Sequence, residues 1–386
     1  MTRTFIDVHI LQTVPPSCVN RDDTGSPKSA RYGGVKRARV SSQAWKRATR
    51  KAFDDLLEAS DLGVRTKRVV DMVTEDLVAS GVSSEDAEPL ATEAVLSSGL
   101  KLTKARKGTR QETEFLVLVS WQQAQALAGL ARAALESAGG EITGALADLK
   151  SAEGKRAAKR ILQQGNSLDL ALFGRMVAND TDLNVDATCQ VAHALSVHAA
   201  DSEFDYFTAV DDLKVGADDT DGAADAGAGM IGTVEFTSAT LYRYASIDAV
   251  HLAEALGDAE MTERGIAAFL QAFVTSMPTG KINTFGNRTL PEAVVVSIRE
   301  DQPVSYVGAF ETPIESRTGY VVPAAAALRD WATDTSEAYG VDPVATWVVG
   351  VGAAGDSLAG LGERLPFAQL PDAVAHGAVA RVRESV

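Results

Sequence analysis

Cysteine is nearly absent from this sequence. The two present, Cys18 and Cys189, cannot form a disulfide framework across 386 residues, and neither belongs to a Cys-x-x-Cys knuckle. No His-Glu-x-x-His motif and no Walker loop occurs, so no ready-made zinc or nucleoside-triphosphate site is visible. His193 and His198 stand five residues apart, about 140° around a helix, which is a poor angle for a shared metal. Long hydrophobic runs are missing too. The N-terminal MTRTFIDVH has no apolar stretch of signal-peptide length, and the most apolar segment, around 344–355, falls far short of a membrane span. What is present, 45% hydrophobic and 23% charged residues, is the balance of a globular protein. The expectation is a cytoplasmic chain of two or three folding units, or one elaborated domain, with no membrane partner and no cofactor.

Positive charge is scarce overall, since 37 Lys and Arg face 52 Asp and Glu, a net −15. Its distribution is uneven. Residues 1–51 hold eleven Lys and Arg against three acids, and within 28–51 there are nine basic residues and no acid. A solvated helix face usually mixes its signs, so an acid-free run inside an acidic chain points to a local field for a polyanion. The alternative is a basic surface that pairs with acids elsewhere in the fold. Smaller basic clusters follow at 101–110 and at 150–160, the latter with Lys150, Lys155, Arg156, Lys159 and Arg160. Residues 201–225 are the opposite extreme, with nine acids and only Lys214, and 216–229 are almost entirely Gly, Ala, Asp and Thr. That composition cannot bury a core and reads as an exposed loop.

Along the chain, Phe5, Asp7 and His9 alternate with Ile6, Val8 and Ile10, a first strand that Pro15 and Pro16 are expected to end. Residues 17–40 read as a long loop, with Gly33 and Gly34 marking a hinge or a close backbone approach. Ser41 and Ser42 can cap a helix starting at Gln43. On it Trp45, Ala48 and Ala52 share one face, while Lys46, Arg47, Arg50 and Lys51 share another, beside an N-terminus whose free N–H groups attract anions. Residues 61–180 are dominated by helical patterns. Strand signals return at 233–244, 293–298 and 345–351, with a helix at 319–339. The fold class is α+β, one sheet interrupted by a helical insertion.

Asp22 and Asp23 in the basic loop could hold a divalent metal for phosphodiester cleavage, or brace neighbouring arginines. Met176 and Phe207 read, on their own, as core residues.

One continuous stretch carries more: SCVNRDD at 17–23, YGG at 32–34 and KRARVSSQAWKRATRK at 36–51. In the same order follow LQQG at 162–165, GRM at 174–176, FTAVDDL at 207–213, EF at 235–236 and YRYA at 242–245. Together these blocks resemble the CasC-type backbone subunit of the type I-E CRISPR surveillance complex, Cascade. The likeness covers most of the chain and thins after about residue 283.

The resemblance implies an RRM-related, ferredoxin-like palm with a helical fingers insertion and a protruding thumb. On this chain the palm would take 1–60, 183–200 and 236–386, the fingers 61–182 and the thumb 201–235. It implies a non-catalytic protein whose copies polymerise head to tail along CRISPR RNA. Each thumb forces a base out of a neighbour's RNA and leaves guide segments free to pair with target DNA, in company with other Cascade subunits. Arg21, Lys28, Ser41, Gln43, Lys46, Arg47 and Arg50 fall in the motif that binds the RNA backbone, and Met176 and Phe207 match the apolar residues beside the kinked base. Lys150, Lys155, Arg156 and Lys159 lie where the family places contacts to target DNA. Such recognition must be independent of guide sequence, which suits cations and helix ends aimed at phosphates. The competing expectation is a metal-dependent endoribonuclease of the same RRM-like superfamily, using Asp22 or Asp23.

Overall fold

The alternating run that opens the chain becomes the central strand, Phe5–Ser17, of a ten-stranded sheet. The structure is a computed structural model that describes residues 3–105, 110–177, 180–209 and 230–384. Pro15 and Pro16 do not end the strand. Its ladder with Met230–Asp248 slips between Val14 and Ser17, and the bulge absorbs two residues that have no N–H to donate.

Phe5–Ser17 pairs antiparallel with Met230–Asp248 on one side and with Ala293–Arg299 on the other. Beyond Ala293–Arg299 lie Ala345–Gly350 and the short Glu363–Arg364. Beyond Met230–Asp248 come Ala194–Ser196, Val35–Val40 and Ser29–Tyr32, while Cys189–Val191 and Glu203–Ala209 pair elsewhere along the same long strand. The stretch expected as a continuous loop therefore contains a hairpin. Gly33 (φ +58°) and Gly34 (φ +81°) form its two-residue turn, the positive-φ pair that matches strand twist. Its many cations disguise it, because an edge hairpin tolerates charge that a central strand would not.

The two faces of the central strand serve different cores. Ile6, Val8 and Ile10 pack with Phe269 and Phe273 of the helix Ala259–Thr275 and with Val374 of Leu370–Glu384. Each such side chain, fully buried, contributes about 1.5–3 kcal/mol. Asp7 and His9 face the other way, toward Tyr242, Tyr244 and Tyr306. The Tyr306 N–H donates to the Tyr242 hydroxyl at 3.0 Å, and the same hydroxyl shares a hydrogen bond with His9 Nδ1 at 2.9 Å. Burial, with Arg299 nearby, pushes the imidazole pKa down to about 3 and keeps it neutral. Asp7 accepts from the Tyr244 hydroxyl (2.7 Å) and the Val304 N–H (2.8 Å) and pairs with Arg299 (3.2 Å). Burial outweighs these lowering contacts and holds Asp7 up at about 6.

A separate apolar cluster, centred on Val73, Leu77, Leu90, Leu127 and Leu162, lies within residues 69–183. Its helices are Val69–Ala79, Ser84–Ser97, Trp121–Ser137, Ile142–Lys150 and Ala152–Gln163. Trp121–Ser137 begins with a reciprocal cap, in which Ser120 accepts from the Gln123 N–H and Gln123 accepts from the Ser120 N–H. The expected helix at 319–339 runs Val321–Tyr339. No helix among the described residues is long and apolar enough to cross a membrane.

Candidate nucleic-acid interface

The basic helix is Ser42–Ala52, capped by Ser41, whose hydroxyl accepts from the Ala44 N–H at 3.3 Å. Its buried face is Trp45 and Thr49 rather than the alanines, because the indole finds a buried partner. That partner is Arg243, whose guanidinium lies 3.7 Å from the Trp45 ring and 4.6 Å from that of Phe273. Arg243 also donates to Gln12 Oε1 (2.6 Å) and to the Phe273 carbonyl. Burial pushes its pKa down to about 9.

The loop before the hairpin is tied to this helix. Asn20 Oδ1 accepts from the Ser41 N–H (2.8 Å), and the Asn20 carbonyl accepts from the Lys28 N–H (2.9 Å). Arg21 is exposed, and half-buried Lys28 lines a cleft with Asn20, Arg39 and Thr237. Asp22 Oδ1 accepts from the Thr24 hydroxyl (2.7 Å), the Thr24 N–H (3.0 Å) and the Ser26 N–H (3.0 Å), which holds its pKa below the usual range. That carboxylate braces the loop's own turn. Asp23 is exposed. Among the described residues no group of three or more His, Cys, Asp and Glu could hold a metal ion.

The nine cations of 28–51 separate into two kinds. Arg37 is fully buried and donates to the carbonyls of Tyr32, Ser196, Phe310 and Glu311, anchoring the hairpin. Arg39 donates to the Ser29 carbonyl and to His193 Nδ1, and burial, with the Arg39 charge adding to it, lowers the His193 pKa. Arg50 pairs with Asp169 at 2.7 Å and donates to the Gly63 carbonyl at 3.1 Å. Lys46 lies over the Phe173 ring. Arg31, Lys36, Arg47 and Lys51 are exposed, as is Gln43. Those four cations make no ion pair with any described residue.

His198 is engaged away from His193. It accepts from the Thr240 N–H through Nε2, donates from Nδ1 to the Ala199 carbonyl and stacks on Tyr320. Both nitrogens are spoken for.

In the helical block the motif GRM has three distinct parts. Gly174 has φ +74° and sits where a Cβ would meet the Val185 carbonyl oxygen at 2.6 Å. Arg175 is buried and donates to the carbonyls of Leu162, Leu183 and Leu118. Met176, the next residue, is 82% exposed above a cleft it shares with Phe115 and Leu116. Phe207 lies elsewhere, half-buried on Glu203–Ala209, its ring over Gly232 on the opposite strand. The cleft at Met176 does not include it. The acidic segment 211–229 lies outside the described residues.

Of the second basic cluster, Lys150 pairs with Glu93 (3.5 Å), and Lys159 pairs with Asp180 (3.0 Å) and Asp182 (2.7 Å). Lys155 and Arg156 are exposed on Ala152–Gln163 without an ion pair to any described residue. Sequence reasoning missed Arg37, Arg175 and Arg243 as anchors. One signal was available for Arg243, a cation sharing a strand face with Leu241.

The family model described as CT1975-like protein matches residues 6–372. The chain belongs to that family. Among solved structures, this CT1975-like chain is similar to one described as "CRISPR RNA-guided surveillance complex, pre-nicking", at 33% identity and a TM-score of 0.80, covering 97% of this chain and 100% of the other. It is also similar to one described as "CRISPR RNA-guided surveillance complex", at 30% identity and a TM-score of 0.71, covering 97% and 99%. None of the curated proteins compared with it matches.

Proposed function

We propose that this CT1975-like protein is a non-catalytic backbone subunit of a type I-E Cascade complex. In this reading it binds CRISPR RNA, polymerises along it with other copies of itself and other Cascade subunits, and presents guide segments to target DNA in the cytoplasm. The observation that carries the reading is the end-to-end likeness to a chain of an RNA-guided surveillance complex, 97% of this chain on 100% of that one.

The architecture supports it. The strands Ala293–Arg299, Phe5–Ser17, Met230–Asp248 and Ala194–Ser196 lie side by side in the order of a ferredoxin-like sheet, fourth, first, third, second. Helix Ser42–Ala52 falls between the first and second of these, and Ala259–Thr275 between the third and fourth. This sheet would be the palm, the independently cored helical block the fingers, and Glu203–Ala209 the base of the thumb.

Arg21, Lys28, Lys46 and Arg47, with the capped helix start at Ser41 and Gln43, would grip the sugar–phosphate backbone, and Arg50, paired with Asp169, would steady the helix that carries Lys46 and Arg47. Met176 and Phe207 are far enough apart in role to act from two copies, one presenting an exposed thioether and the other a ring. Of Lys150, Lys155, Arg156 and Lys159, Lys155 and Arg156 are the two without an ion pair to a described residue, and they would meet target DNA. The engagement of Asp22 inside its own turn favours guide binding over cleavage.

The test is to mix the chain with CRISPR RNAs of two lengths and measure particle mass. Mass should step with RNA length, and binding should weaken with salt at a log–log slope near −3.5 per copy, about 0.7 for each of roughly five neutralised phosphates. Incubation with Mg²⁺ or Mn²⁺ and complementary RNA should give no evenly spaced cleavage ladder. A ladder would reinstate the nuclease, and a mass independent of RNA length would remove the backbone role.

A further inference from the structure

Lys281 is the one non-glycine residue with positive φ among the described residues, at φ +46° and ψ +30°. Side chains with a Cβ rarely occupy this left-handed region, and such strain persists only where the surroundings impose it. The surroundings here are the basic loop. Gly280 is pressed so close to it that a Cβ would lie 2.4 Å from the Val19 carbonyl oxygen and 2.6 Å from that of Cys18. On the other side of the turn the Phe285 ring meets Phe236 at 5.9 Å, and the neighbouring Glu235 accepts from the Ser26 hydroxyl at 2.9 Å. The 17–28 loop is therefore clamped by two remote segments, and Lys281 is held at the join.

Its charge has a definite neighbourhood. Lys281 and Arg21 both act on the Cys18 thiol, drawing its pKa down while burial, the larger effect, raises it, with Glu235 and Asp22 opposing the two cations. Each of those carboxylates already accepts a hydroxyl proton, Glu235 from Ser26 and Asp22 from Thr24. Neither Arg21 nor Lys281 forms an ion pair with a described residue.

We infer that Lys281 is a further phosphate-contacting residue of the guide groove, its backbone held against the loop that carries Arg21 by the close approach of Gly280 to Cys18 and Val19, its ligand the sugar–phosphate backbone of single-stranded RNA. The inference rests on the guide-binding reading and adds to it a residue from the other end of the chain.

Lys281→Gly separates backbone from charge, because glycine takes positive φ without steric cost while the ammonium is lost. Using the full chain and two CRISPR RNAs of unrelated spacer, affinity is measured across a salt series for wild type, Lys281→Gly, Lys281→Arg and Arg47→Ala. Lys281→Gly should lose affinity equally for both RNAs and reduce the salt slope by about 0.7, with no fall in Tm, while Lys281→Arg keeps the slope. If Lys281→Gly lowers Tm, Lys281→Asn, which also tolerates the left-handed region, carries the same expectation. An unchanged slope and affinity in the variant that folds overturns the inference. Wild type without salt-dependent RNA binding would instead overturn the guide-binding reading. A normal wild type and a weakened Arg47→Ala beside an unaffected Lys281→Gly would remove Lys281 alone.

Discussion

The guanidinium of Arg243 lies over Trp45, 3.7 Å from the indole centroid, and 4.6 Å from the ring centroid of Phe273. A cation on the sheet and the buried aromatic of the basic helix thus form one unit, and the helix that carries Lys46 and Arg47 is oriented by it. Trp45→Ala should cost about 3–5 kcal/mol, as for other large buried aromatics, and leave Arg243 charged without its ring. Trp45→Phe, which keeps a ring, should cost clearly less. Urea unfolding midpoints decide the order, and equal losses would mean that volume alone matters at this site.

Arg47 and Arg50 sit three residues apart on the same helix and should behave differently. Arg47 makes no ion pair with a described residue, whereas Arg50 is bound to a carboxylate that is 1% exposed. Arg47→Ala should leave stability within about 0.5 kcal/mol and reduce the salt slope of RNA binding by about 0.7. Arg50→Ala should cost about 3 kcal/mol, because it strands the Asp169 charge. Thermal unfolding and a salt titration on both variants separate the two roles, and a stable Arg50→Ala would show that the pair contributes nothing.

That contrast shows what the sequence could and could not reveal. The acid-free run, the Ser41 cap and the order of motifs are local features, and they point to a candidate interface within the first 51 residues. Which of its cations remain available depends on partners far along the chain. Asp169 is 119 residues from Arg50, and the Phe310 carbonyl is 273 residues from Arg37. No pattern of charges near residue 37 distinguishes a buried guanidinium that collects four carbonyls from an exposed one. The strand through Pro15 was hidden for a similar reason, because the bulge that accommodates it is a property of the pairing with Met230–Asp248.

Gly33 and Gly34 share a turn but not a constraint. A Cβ on Gly33 would lie 1.6 Å from the Glu311 carbonyl oxygen, and nothing stands within 4 Å of one on Gly34. Gly34→Ala should therefore cost only the left-handed conformation, roughly 1–2 kcal/mol. Gly33→Ala should cost more, since backbone has to move, and should loosen the hairpin that Arg37 anchors. Denaturant unfolding of the two variants checks this, and equal costs would count against close contact at Glu311.

His9 makes stability depend on pH in a known direction. Folded, it stays neutral, with a pKa near 3, while the unfolded chain takes up a proton near the ordinary histidine value of 6.5. Its contribution is complete above pH 6.5 and is lost as pH falls toward 3, at up to roughly 1.4 kcal/mol per pH unit. Asp7, held at about 6 against 3.8, has the opposite sign, since the fold gains relative to the unfolded chain as pH falls through that interval. Between about pH 6 and 4 the two largely cancel, so the wild-type profile alone understates both. His9→Gln, which can still accept from the Tyr242 hydroxyl, removes one of them. Its stability relative to wild type should rise steadily as pH is lowered from 6.5, measured by urea unfolding at half-unit intervals. A difference that stays constant with pH would mean that His9 titrates alike in both states and that burial does not hold it neutral.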